Sequence, residues 1–260
     1  MKRRTVAQFF VVLLAVVVAG PDALAQKFTP KAPTAADWAA LAKLPDFNGV
    51  WEITFGGGGR GARDAAPQLP AGPSLTPEYA VKKKALEANA PEDNQTANCL
   101  PPGMPGIMGQ PYPMEFLLTP GQVTIVIEAY TQVRHIYTDG RALPSDPDLT
   151  FHGTSVGRWD GETLVVETIG FSPLTQLDRA VPHSDKMRLV ERFRLTDPDT
   201  MSIETTVHDP AALTAPYTTS RTLKRHRSWT IAEYVCQENN RNFVDPSGKA
   251  GVNLSNPGGR

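Results

Sequence analysis

The feature that most restricts how this chain can fold is the stretch from Met114 to Cys236, where apolar and polar residues alternate with period two and turn residues punctuate the alternation. Successive side chains of an extended chain point to opposite faces, so this pattern marks half-buried strands. It predicts strands over residues 114–119, 122–129, 132–138, 150–159, 162–169, 186–195, 200–208, 217–227 and 229–236, with 47–54 ahead of them. Pro120-Gly121, Asp160-Gly161 and the segment 196–199 close hairpins, the second with a dipeptide favoured in type I′ turns. Sequence neighbours are therefore antiparallel neighbours in space. A parallel α/β sheet needs a crossover helix between strands and is excluded. Consecutive hairpins favour a barrel over a sandwich, because closure removes exposed edges. The expected fold class is all-β, an antiparallel up-and-down barrel of about 8–10 strands, which encloses either packed side chains or one small ligand.

The N-terminus reads as an export signal. Lys2, Arg3 and Arg4 precede an apolar run over residues 9–18, and Ala23-Leu24-Ala25 supplies the small-x-small cleavage pattern. That run is too short for a membrane span, which needs about 20 residues. Residues 1–25 are thus a signal peptide. The Arg3-Arg4 pair raises the twin-arginine route, but Thr5-Val6-Ala7 fit that pattern poorly, which favours general secretion. The mature protein is expected to be exported, periplasmic or secreted, with no membrane span after cleavage. Net charge is −1, a balance that gives no electrostatic footprint for phosphate binding, so nucleic acid is not an expected partner.

In an oxidising compartment the two cysteines of the mature chain, Cys99 and Cys236, should pair. Closing so long a loop would stabilise the fold by about 5 kcal/mol on a chain-entropy estimate. Zinc lacks a paired-ligand spacing here, so no metal is expected, and no motif calls for a cofactor.

The mature chain divides into an N-terminal arm (26–46), the barrel domain (47–240) and a flexible tail (241–260). The arm carries a short helix over 34–44, capped by Thr34, with Trp38, Leu41 and Leu44 at helical spacing as a plug or brace. Inside the barrel domain lies an insertion, residues 56–113, with ten prolines and nine glycines in 58 residues. Such composition marks irregular chain. One helix, 76–90, is expected within it, with Thr76 as cap and Pro77 at the first helical position.

Gly49-Val50-Trp51-Glu52, Ile136-Tyr137-Thr138-Asp139-Gly140-Arg141, the run from Gly157-Arg158-Trp159-Asp160-Gly161 through Glu162-Thr163-Leu164-Val165-Val166-Glu167-Thr168, Glu191-Arg192-Phe193, and Tyr234-Val235-Cys236-Gln237-Glu238-Asn239-Asn240 together resemble a widespread, uncharacterised family of exported bacterial proteins. The Gly-x-Trp of the first strand is also similar to the lipocalin signature. The resemblance implies a lipocalin-like barrel and export. It carries no activity to named positions.

Three motifs are discounted on physical grounds. Gly153-Thr154-Ser155-Val156-Gly157 matches a hydrolase nucleophile elbow, but it lies inside a strand instead of at a strand-to-helix turn, and reads as small residues that permit close approach. The glycine-rich segment 56–61 lacks the Lys-Ser/Thr of a phosphate cradle and reads as a flexible loop. Lys224-Arg225-His226-Arg227 is split by alternation between two faces of a strand end.

The anomaly is Glu191. Met187, Leu189, Glu191, Phe193 and Leu195 share one face of a strand, which puts a carboxylate in an apolar stripe. Buried there it needs a cationic or hydrogen-bonding partner, either as an ion pair that fixes register or as a functional group. Candidates lie on 132–138, where Val133, His135 and Tyr137 occupy one face and Arg134 and Ile136 the other. If the first is inside, His135 and Tyr137 are acid/base or hydrogen-bonding groups; if the second, Arg134 is an anion clamp. Arg141 follows at the rim. His183-Ser184-Asp185 and His208-Asp209 end loops that could meet at one barrel mouth, as tuned bases or as turn residues.

The expected function is binding of a small hydrophobic or aromatic molecule, with Arg134, Tyr137, Met187, Leu189, Phe193 and Arg141 as ligand contacts. The alternative is a cofactor-independent lyase, isomerase or hydrolase using Glu191, His135 and His183. A third reading, a structural or envelope-assembly partner, predicts a barrel filled with its own side chains.

Overall fold

The computed structural model describes residues 32–54, 72–88, 99–177, 180–236, 242–244 and 250–252. The expected signal peptide and the glycine-rich segment 56–61 lie outside the described residues.

Nine strands form one closed barrel in sequence order: β1 (Gly49–Thr54), β2 (Met114–Thr119), β3 (Gln122–Ile127), β4 (Gln132–Tyr137), β5 (Thr154–Asp160), β6 (Thr163–Ile169), β7 (Arg188–Asp197), β8 (Thr200–His208) and β9 (Tyr217–His226). β9 returns antiparallel to β1, from Val50↔His226 to Thr54↔Thr222, and this leaves no edge. One feature departs from the expected up-and-down meander: β4 and β5 are parallel. The reason is parity. Strands around a ring can alternate in direction throughout only if their number is even, so a ring of nine must contain a parallel pair. The connection 138–153 carries the chain from one end of the barrel back to the other to start β5 in the direction of β4.

The two ends differ. The hairpin end holds the turns β2–β3, β5–β6 and β7–β8. It is plugged by Phe47, whose carbonyl accepts a hydrogen bond from Trp51 Nε1 (2.9 Å) and whose ring packs on Trp159 (5.2 Å). Arg225, from β9, lies over the Trp51 ring at 4.5 Å. The opposite, insertion end receives the Pro/Gly-rich chain: Met104, Ile107 and Met108 join the core beside Leu177, Val181 and Met187. Helix α2 (Pro77–Ala88) is tied to this end through Thr76 N–H to Ala212 O and the Leu75↔Leu213 bridge. The Cys99–Cys236 disulfide is formed.

Between the ends the interior is filled. Inward residues from all round the wall, among them Phe116, Ile125, Val166, Phe193, Ile203 and Leu223, are fully buried, and the Phe116 and Phe193 rings meet edge to face at 6.1 Å.

Two expected elements are corrected. Residues 229–236 form no strand. β9 already closes on β1, so a further strand would find no free edge, and this segment instead runs as a strap held by Ala232 N–H to Glu128 Oε2 and Thr131 Oγ1–H to Tyr234 O. Helix α1 (Ala35–Leu41) has the expected Thr34 cap, with a capping box to Asp37, but buries none of its residues; Trp38 is 53% exposed, so the helix is not a plug. Within the C-terminal tail, β10 (Asn242–Val244) pairs with β11 (Ala250–Val252).

Candidate functional site

Sequence alternation puts Glu191 in the inward face of β7, and there it lies, fully buried between Leu189 and Phe193. Its partner is Arg134. The ambiguity of β4 is settled in favour of the Arg134 and Ile136 face: Arg134 is 1% exposed, while Val133 is 45% exposed on the outside. Register explains the choice, because Ile125 and Val123 of β3 face inward and stand opposite Arg134 and Ile136.

Arg134 grips Glu191 with both terminal nitrogens, Nη1 to Oε1 at 3.1 Å and Nη2 to Oε2. Nη2 also donates to Thr168 Oγ1 (3.1 Å) and Ser155 Oγ (3.3 Å), and those two hydroxyls bond each other at 2.9 Å. All four side chains are buried. The carboxylate that alternation placed in an apolar stripe is thus held in a hydroxyl-lined ion pair whose charges cancel, and Ser155 contributes as a strand residue, not as a nucleophile. Gly157, two residues on, sits where a Cβ would come within 2.8 Å of Ile136 Cγ2, the close approach expected of this small-residue strand.

One residue of the cluster escaped the sequence reading: His152, half-buried just before β5. Its Nε2 meets Gln132 Oε1 at 3.0 Å, and Gln132 Nε2 donates to the carbonyl of Tyr130 (2.8 Å). This chain fixes the amide orientation and hence the tautomer: His152 Nε2 carries the proton and Nδ1 is a bare acceptor. Burial first, then the positive charge of Arg134 and the neighbouring His135, depress the His152 pKa to about 4. The ring is neutral at pH 7. Both His152 Nδ1 and Arg134 Nε are buried without a hydrogen-bond partner. His152 gave no sequence signal because its neighbours in the cluster come from strands remote along the chain.

The remaining predicted residues fall elsewhere. His135 and Tyr137 are on the outer wall: His135 Nδ1 contacts Gln122 Nε2 (3.1 Å), and the Arg141 guanidinium lies 3.7 Å over the Tyr137 ring while pairing with Asp139. The hydrogen bonds from Arg141 hold the Asp139 carboxyl below its usual range. None of the three reaches the interior: of the two faces weighed for β4 the inner one is that of Arg134 and Ile136, and Arg141 was expected at the rim. Met187, Leu189 and Phe193 are buried in the core. His183 is not beside Glu191; its Nδ1 meets Ser184 O at 2.8 Å and its Nε2 meets Thr175 Oγ1 at 2.7 Å, which ties together the β6–β7 connection. The two rim loops do meet, but through Ser184 and Asp209: the Asp209 carboxylate accepts from Ser184 N–H and Oγ–H, both at 2.6 Å. Glu191, His135 and His183 are therefore not one constellation. Among the described residues no group of three or more His, Cys, Asp or Glu is arranged to hold a metal ion.

Fold and site define a closed nine-stranded barrel with a buried, charge-neutral polar cluster on one wall. No protein-family model matches the chain, and no curated protein matches it either.

Proposed function

We propose that the protein is an exported barrel that binds a small hydrophobic or aromatic molecule at the insertion end, with the polar group of that molecule received by Arg134 and His152. The observation that carries this reading is the pair of buried, unpartnered polar atoms, Arg134 Nε and His152 Nδ1. Buried polar groups are satisfied in the great majority of native proteins, so these two orphan atoms support a reading in which a further molecule bonds there. Methionines at the same end, Met104, Met108, Met114 and Met187, suit the role, since their flexible thioethers repack around an irregular apolar guest. The Cys99–Cys236 bridge supports export to the periplasm or beyond.

One observation favours a second reading. The filled centre of the barrel leaves the middle of the wall to packing, which suits a rigid scaffold for envelope assembly. The two are separated by native mass spectrometry of the protein purified from its own host. Binding predicts a retained non-covalent mass in the small-molecule range that denaturation releases unchanged; the bare chain mass alone favours the scaffold.

A further inference from the structure

We infer that residues 99–113 form a lid over the insertion end of the barrel, and that the Cys99–Cys236 disulfide is its lock: reduction by a dithiol releases the lid while the nine-stranded wall stays folded. The lid differs from the wall in how it is held. Met104, Ile107 and Met108 are buried in the core, yet residues 99–113 pair with no strand. Their backbone meets the barrel through isolated hydrogen bonds, from Met104 N–H to Phe151 O (2.8 Å) and from Glu128 N–H to Pro113 O (3.1 Å). Segments without a ladder are the ones that open first in local unfolding, and mobile lids are drawn from them.

What keeps the lid shut is the strap, residues 229–236, which grips it at both ends. At the start of the lid, Cys99 is bonded to Cys236. At its other end the Tyr112 ring meets the Tyr234 ring edge to face at 5.4 Å, and Tyr234 in turn packs on Tyr130 of the β3–β4 turn at 5.1 Å. The same turn holds the strap through Glu128 and Thr131. Of these grips only the disulfide is covalent. With the bridge intact, the lid is a short closed loop that runs from Cys99 to Met114, where β2 begins. Once the bridge is cut, the next described attachment upstream lies ahead of helix α2, at Thr76 N–H to Ala212 O (2.9 Å). The loop lengthens, and closing it costs more entropy. Neither cysteine lies in a barrel strand, so cutting the bridge leaves the hydrogen bonds of the wall in place. Both cysteines are partly exposed, within reach of an external thiolate. That thiolate attacks one sulfur of the bridge and forms a mixed disulfide, which the second thiol of the reductant resolves. Two electrons and two protons pass to the protein, leaving two thiols, and the dithiol closes its own disulfide.

The test is methionine footprinting of the full protein, and no ligand enters it, so its outcome is independent of the binding reading. Dilute hydrogen peroxide converts an accessible methionine to its sulfoxide, and peptide mass spectrometry reads each position. Met104 and Met108 report on the lid; Met201, buried on β8, reports on the wall. Protein reduced with dithiothreitol and capped with iodoacetamide is compared with the untreated protein. Met104 and Met108 should oxidise at least about tenfold faster without the bridge, with Met201 unchanged. Cys99→Ser combined with Cys236→Ser should reproduce that result; if this variant does not fold, the reduced protein still decides. Unchanged rates at Met104 and Met108 overturn the inference, because the bridge then locks nothing. Equal acceleration at all three methionines also overturns it, because the wall then unfolds with the lid.

Discussion

The β4–β5 seam and the β7–β8 ladder are both parts of the same closed wall, and they are held in different ways. β7 and β8 pair in antiparallel register from Arg188↔His208 to Asp197↔Thr200, and a run of inward apolar side chains, Leu189, Phe193, Ile203 and Val207, lies behind them. β4 and β5 pair in parallel, and only at Ile136↔Ser155 and Tyr137↔Val156. Beside this short pairing the interior turns polar. From β4, Arg134 reaches Ser155 on β5, Thr168 on β6 and Glu191 on β7, and His152 bonds Gln132 across the stretch where the two chains are not paired. At the short parallel pairing a network of side-chain hydrogen bonds also crosses the wall, and it reaches as far as Glu191 on the β7–β8 ladder.

This contrast can be broken from either side. The largest effect is expected at the seam: Glu191→Ala strands the Arg134 guanidinium in a dry interior and should lower unfolding free energy by about 3–5 kcal/mol, read from urea denaturation. On the ladder side, Phe193→Ala removes the ring that meets Phe116 and should cost about 3–4 kcal/mol through the cavity it leaves. Arg134→Met combined with Glu191→Leu should recover most of the loss of the single Glu191 variant, because no unpaired charge remains. Recovery absent from the double variant would show that the network's hydrogen bonds dominate over its desolvation cost.

A smaller effect comes with pH. The unfolded His152 imidazole takes its proton near 6.5, while the folded one waits until about 4. Between those values the unfolded state binds more protons, so stability should decline as pH falls from about 6.5 to 4, by about 2–3 kcal/mol in all. His152→Gln should flatten that part of the profile; an unchanged slope would place the responsible group elsewhere. Smallest of all, Glu204→Ala, on the exposed face of β8, should change the unfolding free energy by less than about 0.5 kcal/mol.

Much of this was readable from the sequence, and the boundary is physical. Hairpin pairs follow from local alternation and turn chemistry, so Asp160-Gly161 and the inward side of Glu191 are visible in a short window. The disulfide follows from the cysteine count together with the export that the N-terminal sequence leads one to expect. The parallel seam was not visible, because it is decided by how many strands close the ring, and no segment carries that number. Residues 229–236 alternate as a strand does, yet β9 had already taken the last edge. Trp38 has helical spacing, but spacing does not state whether a neighbour exists to bury it. On β4 both faces carry polar and apolar residues, and only pairing with Val123 and Ile125 of β3 turns Arg134 inward. His152 is tied to β4 through its contact with Gln132 and feels the charge of Arg134, which no local pattern records.

The central claim is that the Arg134–Glu191 network holds the wall together at the parallel seam. Amide hydrogen exchange of the Arg134→Met, Glu191→Leu double variant tests it most directly, since that variant keeps the buried volume and removes the network without stranding a charge. The account predicts that the amides flanking the seam, from Ile136 to Thr138 and from Ser155 to Gly157, exchange at least about tenfold faster than in the unmodified protein, while the β7–β8 amides keep their protection. Uniform acceleration across both regions, or unchanged protection at the seam, would contradict it.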